Sequence, residues 1–111
     1  MSQHRKRRGM ESQRIVADYL KANGWPYAEP AGAGRPGTDV TGVAGLDIEV
    51  KARRDLDLNA VTRQIQARLR ADALGVGVIR PDGYGPATVA SWPVVMTLEQ
   101  AVRLLKEAGY Q

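Results

Sequence analysis

Apolar residues return at spacings of three and four through residues 8–23: Ile15, Tyr19 and Ala22 form the stripe, and Val16 and Leu20 widen it. That period predicts an amphipathic helix, and Gly24 stands where a left-handed residue would end it. Residues 25–29 read as a short strand with an irregular start, because Pro26 lacks an amide hydrogen. The stretch PAGAGRPG, residues 30–37, reads as a loop. Strand patterns follow in residues 38–43 and 46–53, and the Ala44-Gly45 pair between them predicts a hairpin. A second helix is expected over residues 59–73, with Val61, Ile65 and Leu69 on one face. Strands over residues 75–80 and 87–92 flank the turn PDGYG. A last helix spans residues 97–108, with Thr97 as cap, Gln100 reaching back to it in a capping box, and Gly109 as the stop. The order α-β-β-β-α-β-β-α predicts an α/β fold, a mixed sheet flanked by helices around one core.

The charged positions change the picture. Side chains alternate across a strand, so Leu46, Ile48 and Val50 point to one face while Asp47, Glu49 and Lys51 point to the other. The Cα atoms of Glu49 and Lys51 lie roughly 6.6–7 Å apart in such a strand, and the hairpin brings Asp39 to the same end. Two carboxylates about 4 Å apart repel by roughly 4 kcal/mol at an effective dielectric of about 20. A structural ion pair needs only one acid and one lysine, whereas a divalent cation turns the repulsion into attraction. An oxygen-only donor set, with no Cys and no well-placed His, favours Mg²⁺ or Mn²⁺ over Zn²⁺. The plainer alternative is that Asp47, Glu49 and Lys51 line the solvent face of an edge hairpin.

The length of 111 residues favours one domain, taken as residues 8–111 behind a flexible basic arm over residues 1–7. Apolar residues make up 43% and Phe is absent, so the core must come from Val, Leu, Ile and Ala. The absence of Cys excludes disulfides and thiolate metal sites and fits a cytoplasmic setting. No apolar run approaches the roughly 20 residues of a membrane span. The formal charge of +4 is unevenly placed, in His4 to Arg8 and in Lys51, Arg53, Arg54, Arg63, Arg68 and Arg70. Such clustering points to a polyanionic partner, most simply nucleic acid; a solubilising surface is the other reading. Trp25, Tyr27 and Trp92 are expected in the core or an interface, since their spacing matches no base-stacking module.

Asp39, nine intervening residues and then Glu49-Val50-Lys51 resemble the PD-(D/E)XK nuclease motif. The order of elements over about residues 8–92 resembles that superfamily's restriction-endonuclease-like αβββαβ core. Within it the chain looks most like archaeal-type and phage Holliday junction resolvases: a helix carrying Glu11 in RGMESQRIVADYL, a small-residue loop PAGAGRPGTD, and a strand ending in EVK. Thr38 stands where the motif usually has Pro before the first acid.

The resemblance implies a Mg²⁺ ion, with Mn²⁺ as substitute, held by Asp39, Glu49, the Val50 carbonyl and Glu11. It implies catalysis by Glu11, Asp39, Glu49 and Lys51, the lysine orienting the attacking water or offsetting charge on the phosphorus, and Glu11 completing the acidic cluster directly, through water or by supporting a second ion. Arg5, Lys6, Arg7, Arg8, Arg35, Arg53 and Arg54 are expected to touch DNA phosphates, and Gln64 to face the site; for each, a solvated surface residue is the simpler reading. The implied activity is that of a Mg²⁺-dependent structure-selective endodeoxyribonuclease making paired nicks in four-way DNA junctions, in the cytoplasm of a cell or of a phage's host. Because a junction is nearly two-fold symmetric and one small chain carries one site, a homodimer is expected. A restriction-like, flap or repair nuclease of the same fold, and a non-catalytic DNA-binding module, stay open beside it.

Overall fold

The computed structural model describes residues 3–32, 37–52, 56–68 and 73–111. Helix α1 (Gln3–Ala22) begins inside the segment expected as an arm, so Arg5, Lys6, Arg7 and Arg8 ride on its first turns. Gly24, at φ 112°, ends it where the sequence places the stop, and Trp25 N–H closes on the Leu20 carbonyl. The strand expected over residues 25–29 shrinks to β1 (Glu29–Pro30), since Pro26 and the turn around it cannot join a ladder. It pairs antiparallel with β2 (Val40–Thr41). Gly42 passes so close to Tyr27 that an added Cβ would meet the Tyr27 carbonyl, which bars any larger residue there.

Strand β3 (Leu46–Lys51) runs parallel to β4 (Leu74–Ile79), and β4 pairs antiparallel with β5 (Val94–Val95), giving a mixed three-stranded sheet in the order β3-β4-β5. The fold is α/β, with helices on the sheet. The expected hairpin between β2 and β3 is joined differently from a regular ladder. Asp39 N–H reaches the Ile48 carbonyl at 2.7 Å. The next bonds come from side chains: Ile48 N–H donates to Thr38 Oγ1 at 2.8 Å, and Val50 N–H donates to Asp39 Oδ2 at 2.8 Å. Two polar side chains thus stand in for backbone acceptors along that edge of β3.

The core lies between α1 and the sheet, where Ile15, Val16 and Ala17 meet Ala28, Val40, Ile48, Val76 and Trp92. Burying each large aliphatic there contributes about 1.5–3 kcal/mol. Trp92 belongs to this core, whereas Trp25 and Tyr27 are exposed. On the other face sits α2 (Leu58–Ala67), whose cap is Asp57, accepting from the Asn59 and Ala60 amides. Gly75 and Gly77 let it approach closely: a Cβ at Gly75 would fall 2.9 Å from the Ile65 carbonyl oxygen.

Residues 86–91, largely within the strand expected over 87–92, are instead a 3₁₀ helix (Pro86–Ser91). Pro86 presets a helical φ at its start, and the Thr88 hydroxyl bonds back to Gly85. The strand role passes to Val94 and Val95. Helix α3 (Leu98–Glu107) is capped by Thr97, which accepts from Gln100 N–H. The Gln100 side chain reaches back as expected, but its Nε2 donates to the Thr97 hydroxyl at 3.2 Å, where a capping box has the side chain accept from the cap's own amide. Extending the β4–β5 register sets Thr97 opposite Gly75, yet Thr97 has left the ladder to cap the helix. Gln100 takes over, its Oε1 accepting from Gly75 N–H at 2.7 Å and its Nε2 donating to the Gly75 carbonyl at 2.9 Å. Leu98, Val102 and Leu105 remain exposed along α3. Among the described residues no helix is long and apolar enough to cross a membrane.

Candidate functional site

Glu49 is the anchor of the site. It lies mid-strand on β3, beside Gly77 of β4, on the face that α2 covers, and is 6% exposed. A carboxylate this buried requires partners, and two cations supply them. Lys51 Nζ lies 3.0 Å from Oε1, and Arg68 Nη2 lies 2.6 Å from Oε2. Arg68 is the C-cap of α2, so the close approach of that helix to the glycines of β4 is what delivers its guanidinium. The Arg68 contact is a charge pairing without hydrogen-bond alignment: Glu49 Oε2 is left with no hydrogen-bond donor, and Arg68 Nη1 is buried with no acceptor.

Asp39 sits half-buried just ahead of β2, tied by Oδ2 to the Val50 amide. Burial is the main cause that pushes its carboxyl above the usual aspartate range, and the negative charge of Glu49 adds to it. The Val50 N–H bond and the charges of Arg68 and Lys51 pull the other way. Asp39, Glu49, Lys51 and Arg68 therefore form one electrostatic cluster of two acids and two bases at the β2–β3 edge.

Glu11 stands apart from that cluster. Its Oε1 pairs with Arg80 Nη1 at 2.8 Å, and Arg80 also holds Ser12 Oγ and the Tyr84 carbonyl. Arg80 is 6% exposed and lies over the Trp92 ring, 5.6 Å from its centroid. A buried guanidinium demands a counter-charge, and Glu11 supplies it. Among the described residues no three Asp, Glu, His or Cys side chains gather into a metal-holding group. The expected three-acid convergence thus reduces, among those residues, to the pair Asp39 and Glu49.

No family model, curated protein or solved structure matches the chain.

Of the other residues singled out in the sequence, Arg5, Lys6 and Arg7 are exposed on α1 and Arg8 is partly covered. Gln64 lies on the exposed side of α2. Arg35, Arg53 and Arg54 lie outside the described residues. Arg68 appears in the sequence only as one of a basic cluster, and Arg80 as the end of a strand; their partners are tertiary. A weak signal exists for each: Arg68 follows Ile65 by one helical turn, and Arg80 closes the apolar run LGVGVI.

The donor set fits a hard divalent cation. The Asp39 carboxyl feels the negative charge of Glu49, the ligand atoms are oxygens, and Glu49 carries a buried oxygen with no hydrogen bond. Lys51 is near enough to assist at the same place.

Proposed function

We propose that the chain is a Mg²⁺-dependent endodeoxyribonuclease of the PD-(D/E)XK type, and most specifically a resolvase of four-way DNA junctions. The observation that carries the reading is the coupled Asp39–Glu49 pair with Lys51 beside it, each on the segment that the motif demands. Asp39, Glu49 and the Val50 carbonyl would hold the cation. A bound Mg²⁺ would supply Lewis acidity toward the scissile phosphate and a water of lowered pKa. Lys51, 3.0 Å from Glu49, would orient the attacking water or offset charge on the phosphate. Glu11 acts at one remove, by fixing Arg80, whose own amide bonds the Lys51 carbonyl at 2.7 Å. Arg5, Lys6, Arg7 and Arg8 at the start of α1 give sequence-independent phosphate contacts, which weaken steeply with salt.

A homodimer suits a substrate with two equivalent strands to cut, and α3 offers a self-complementary face. In an antiparallel pair of α3 helices Leu98 opposes Leu105, while Glu99 of each copy faces Arg103 and Lys106 of the other.

A second reading is favoured by one observation: Asp39 and Glu49 both have partners within the chain. It makes the protein a DNA-binding module whose acids are structural. Incubation with a synthetic four-way junction and with linear duplex, in Mg²⁺ or EDTA, separates the readings. Paired nicks in the junction that vanish in EDTA support the resolvase; equal cutting of duplex leaves a nuclease of another kind; binding without cleavage selects the module.

A further inference from the structure

We propose that Arg68 is a phosphate-binding residue of this site, parked on Glu49 until a divalent cation takes that place. The proposal rests on the cation reading above. Its basis is the arrangement of charge around Glu49. The two acids are balanced by Lys51 and Arg68, so adding a dication makes the cluster strongly positive. One of the two bases has to leave the acids or acquire an anion.

Arg68 is the one built to do so. Its pairing with Glu49 leaves Oε2 without a hydrogen bond and Nη1 buried with no acceptor, an incomplete arrangement on both sides. Buried polar atoms are normally satisfied, and here one cation at Glu49 and one anion at Arg68 would satisfy both. The guanidinium is a planar fork suited to two phosphate oxygens. Its side chain is 22% exposed, against 8% for Glu49, while Nη1 itself is buried, so a phosphate reaches the full fork once the guanidinium has swung off Glu49. Cation and phosphate then arrive together, and the charge of the site is rebalanced by the substrate itself.

The consequence is coupling: Arg68 contributes to DNA binding only when a cation is bound. Two measurements on wild type and Arg68→Ala test this. The first is calorimetric titration with Mn²⁺ in the absence of DNA. Removing a competing positive charge from Glu49 should tighten Mn²⁺ about tenfold, a modest part of the attraction between opposite charges at this separation. The second is fluorescence anisotropy of a labelled four-way junction, in EDTA and in Ca²⁺, used to fill the site without turnover. The two proteins should bind alike in EDTA, whereas in Ca²⁺ the variant should bind about tenfold more weakly, with a salt slope smaller by about one. Arg68→Gln, which removes the charge but keeps a polar side chain, carries the same comparisons if the alanine variant does not fold. A wild type that binds Mn²⁺ and an alanine variant that binds it no tighter overturn the role of Arg68 and leave the cation site standing. An equal loss of DNA affinity in EDTA and Ca²⁺ also overturns it. Absence of Mn²⁺ binding in both proteins removes the cation site and the inference together.

Discussion

Replacing Arg80 by Met removes three hydrogen bonds while keeping an unbranched stem against Trp92. The lost bonds run to the Tyr84 carbonyl at 2.7 Å, to Glu11 Oε1 at 2.8 Å and to Ser12 Oγ at 3.1 Å. Bonds from a charged donor contribute about 1.5–3 kcal/mol each, but they do not all count in full. Glu11 has a side chain 57% exposed, so water replaces most of what it loses. Ser12 Oγ keeps its bond to the Arg8 carbonyl. The Tyr84 carbonyl loses the Arg80 Nε donor, and removing a buried guanidinium recovers part of its desolvation cost. The net loss is about 2–3 kcal/mol. For a domain of this size each kcal/mol shifts the melting temperature by about 4–8 °C. Arg80→Met should therefore melt roughly 10–20 °C below wild type, in a scan followed by Trp fluorescence with Trp92 as the buried reporter. Glu11→Gln should cost less than about 1 kcal/mol in the same scan. A midpoint for Arg80→Met within a few degrees of wild type, or an equal loss in Glu11→Gln, would refute the assignment of Arg80 as the hub.

Asp39→Asn should stabilise the protein at neutral pH, since Asn can still accept from the Val50 amide and carries no charge into a desolvated site. The sign follows from the raised pKa: the folded state holds the Asp39 proton to higher pH than the unfolded chain. Ionisation therefore works against stability above the folded pKa, and the advantage of the variant fades on acidification through that value to the ordinary aspartate range; urea titrations at neutral and acidic pH read this directly. Gln100→Ala leaves the Gly75 N–H and carbonyl without partners in a buried setting. It should cost about 2–5 kcal/mol and speed exchange of the Gly75 amide. Leu105→Glu should convert the proposed dimer to monomer in sedimentation velocity with the melting temperature nearly unchanged, because Leu105 is exposed within one chain; a wild type that sediments as a monomer would refute the α3 pairing.

Much of the fold is visible in hydrophobic period. The stripes of Ile15 with Tyr19, and of Val61 with Ile65, mark helices that are present, and the alternation of LDIEVK marks β3. The errors fall where a local signal is outweighed by tertiary demand. Thr88 and Val89 are β-branched and read as strand, but Pro86 and the Thr88–Gly85 bonds wind that segment into a 3₁₀ turn. Gln100 satisfies a capping pattern three residues from Thr97, yet its amide is drawn to a backbone group 25 positions away. The nearness of Asp39 to Glu49 is legible from the two segments that carry them. The means are not, since beside one backbone bond, from Asp39 N–H to the Ile48 carbonyl, the segments are joined through the Thr38 and Asp39 side chains. Arg68 and Arg80 illustrate the limit: a sequence shows that an arginine exists, while its partner depends on how helices pack on the sheet.

In the proposed function Asp39 and Glu49 share one divalent cation. Crystals soaked in Mn²⁺ test it through anomalous scattering, which locates the metal without reference to any assumed ligand. The account predicts one peak between the two carboxylates, about 2.1 Å from an oxygen of each, with Arg68 moved off Glu49. A peak beside Glu11, or none with Arg68 still seated on Glu49, would contradict it.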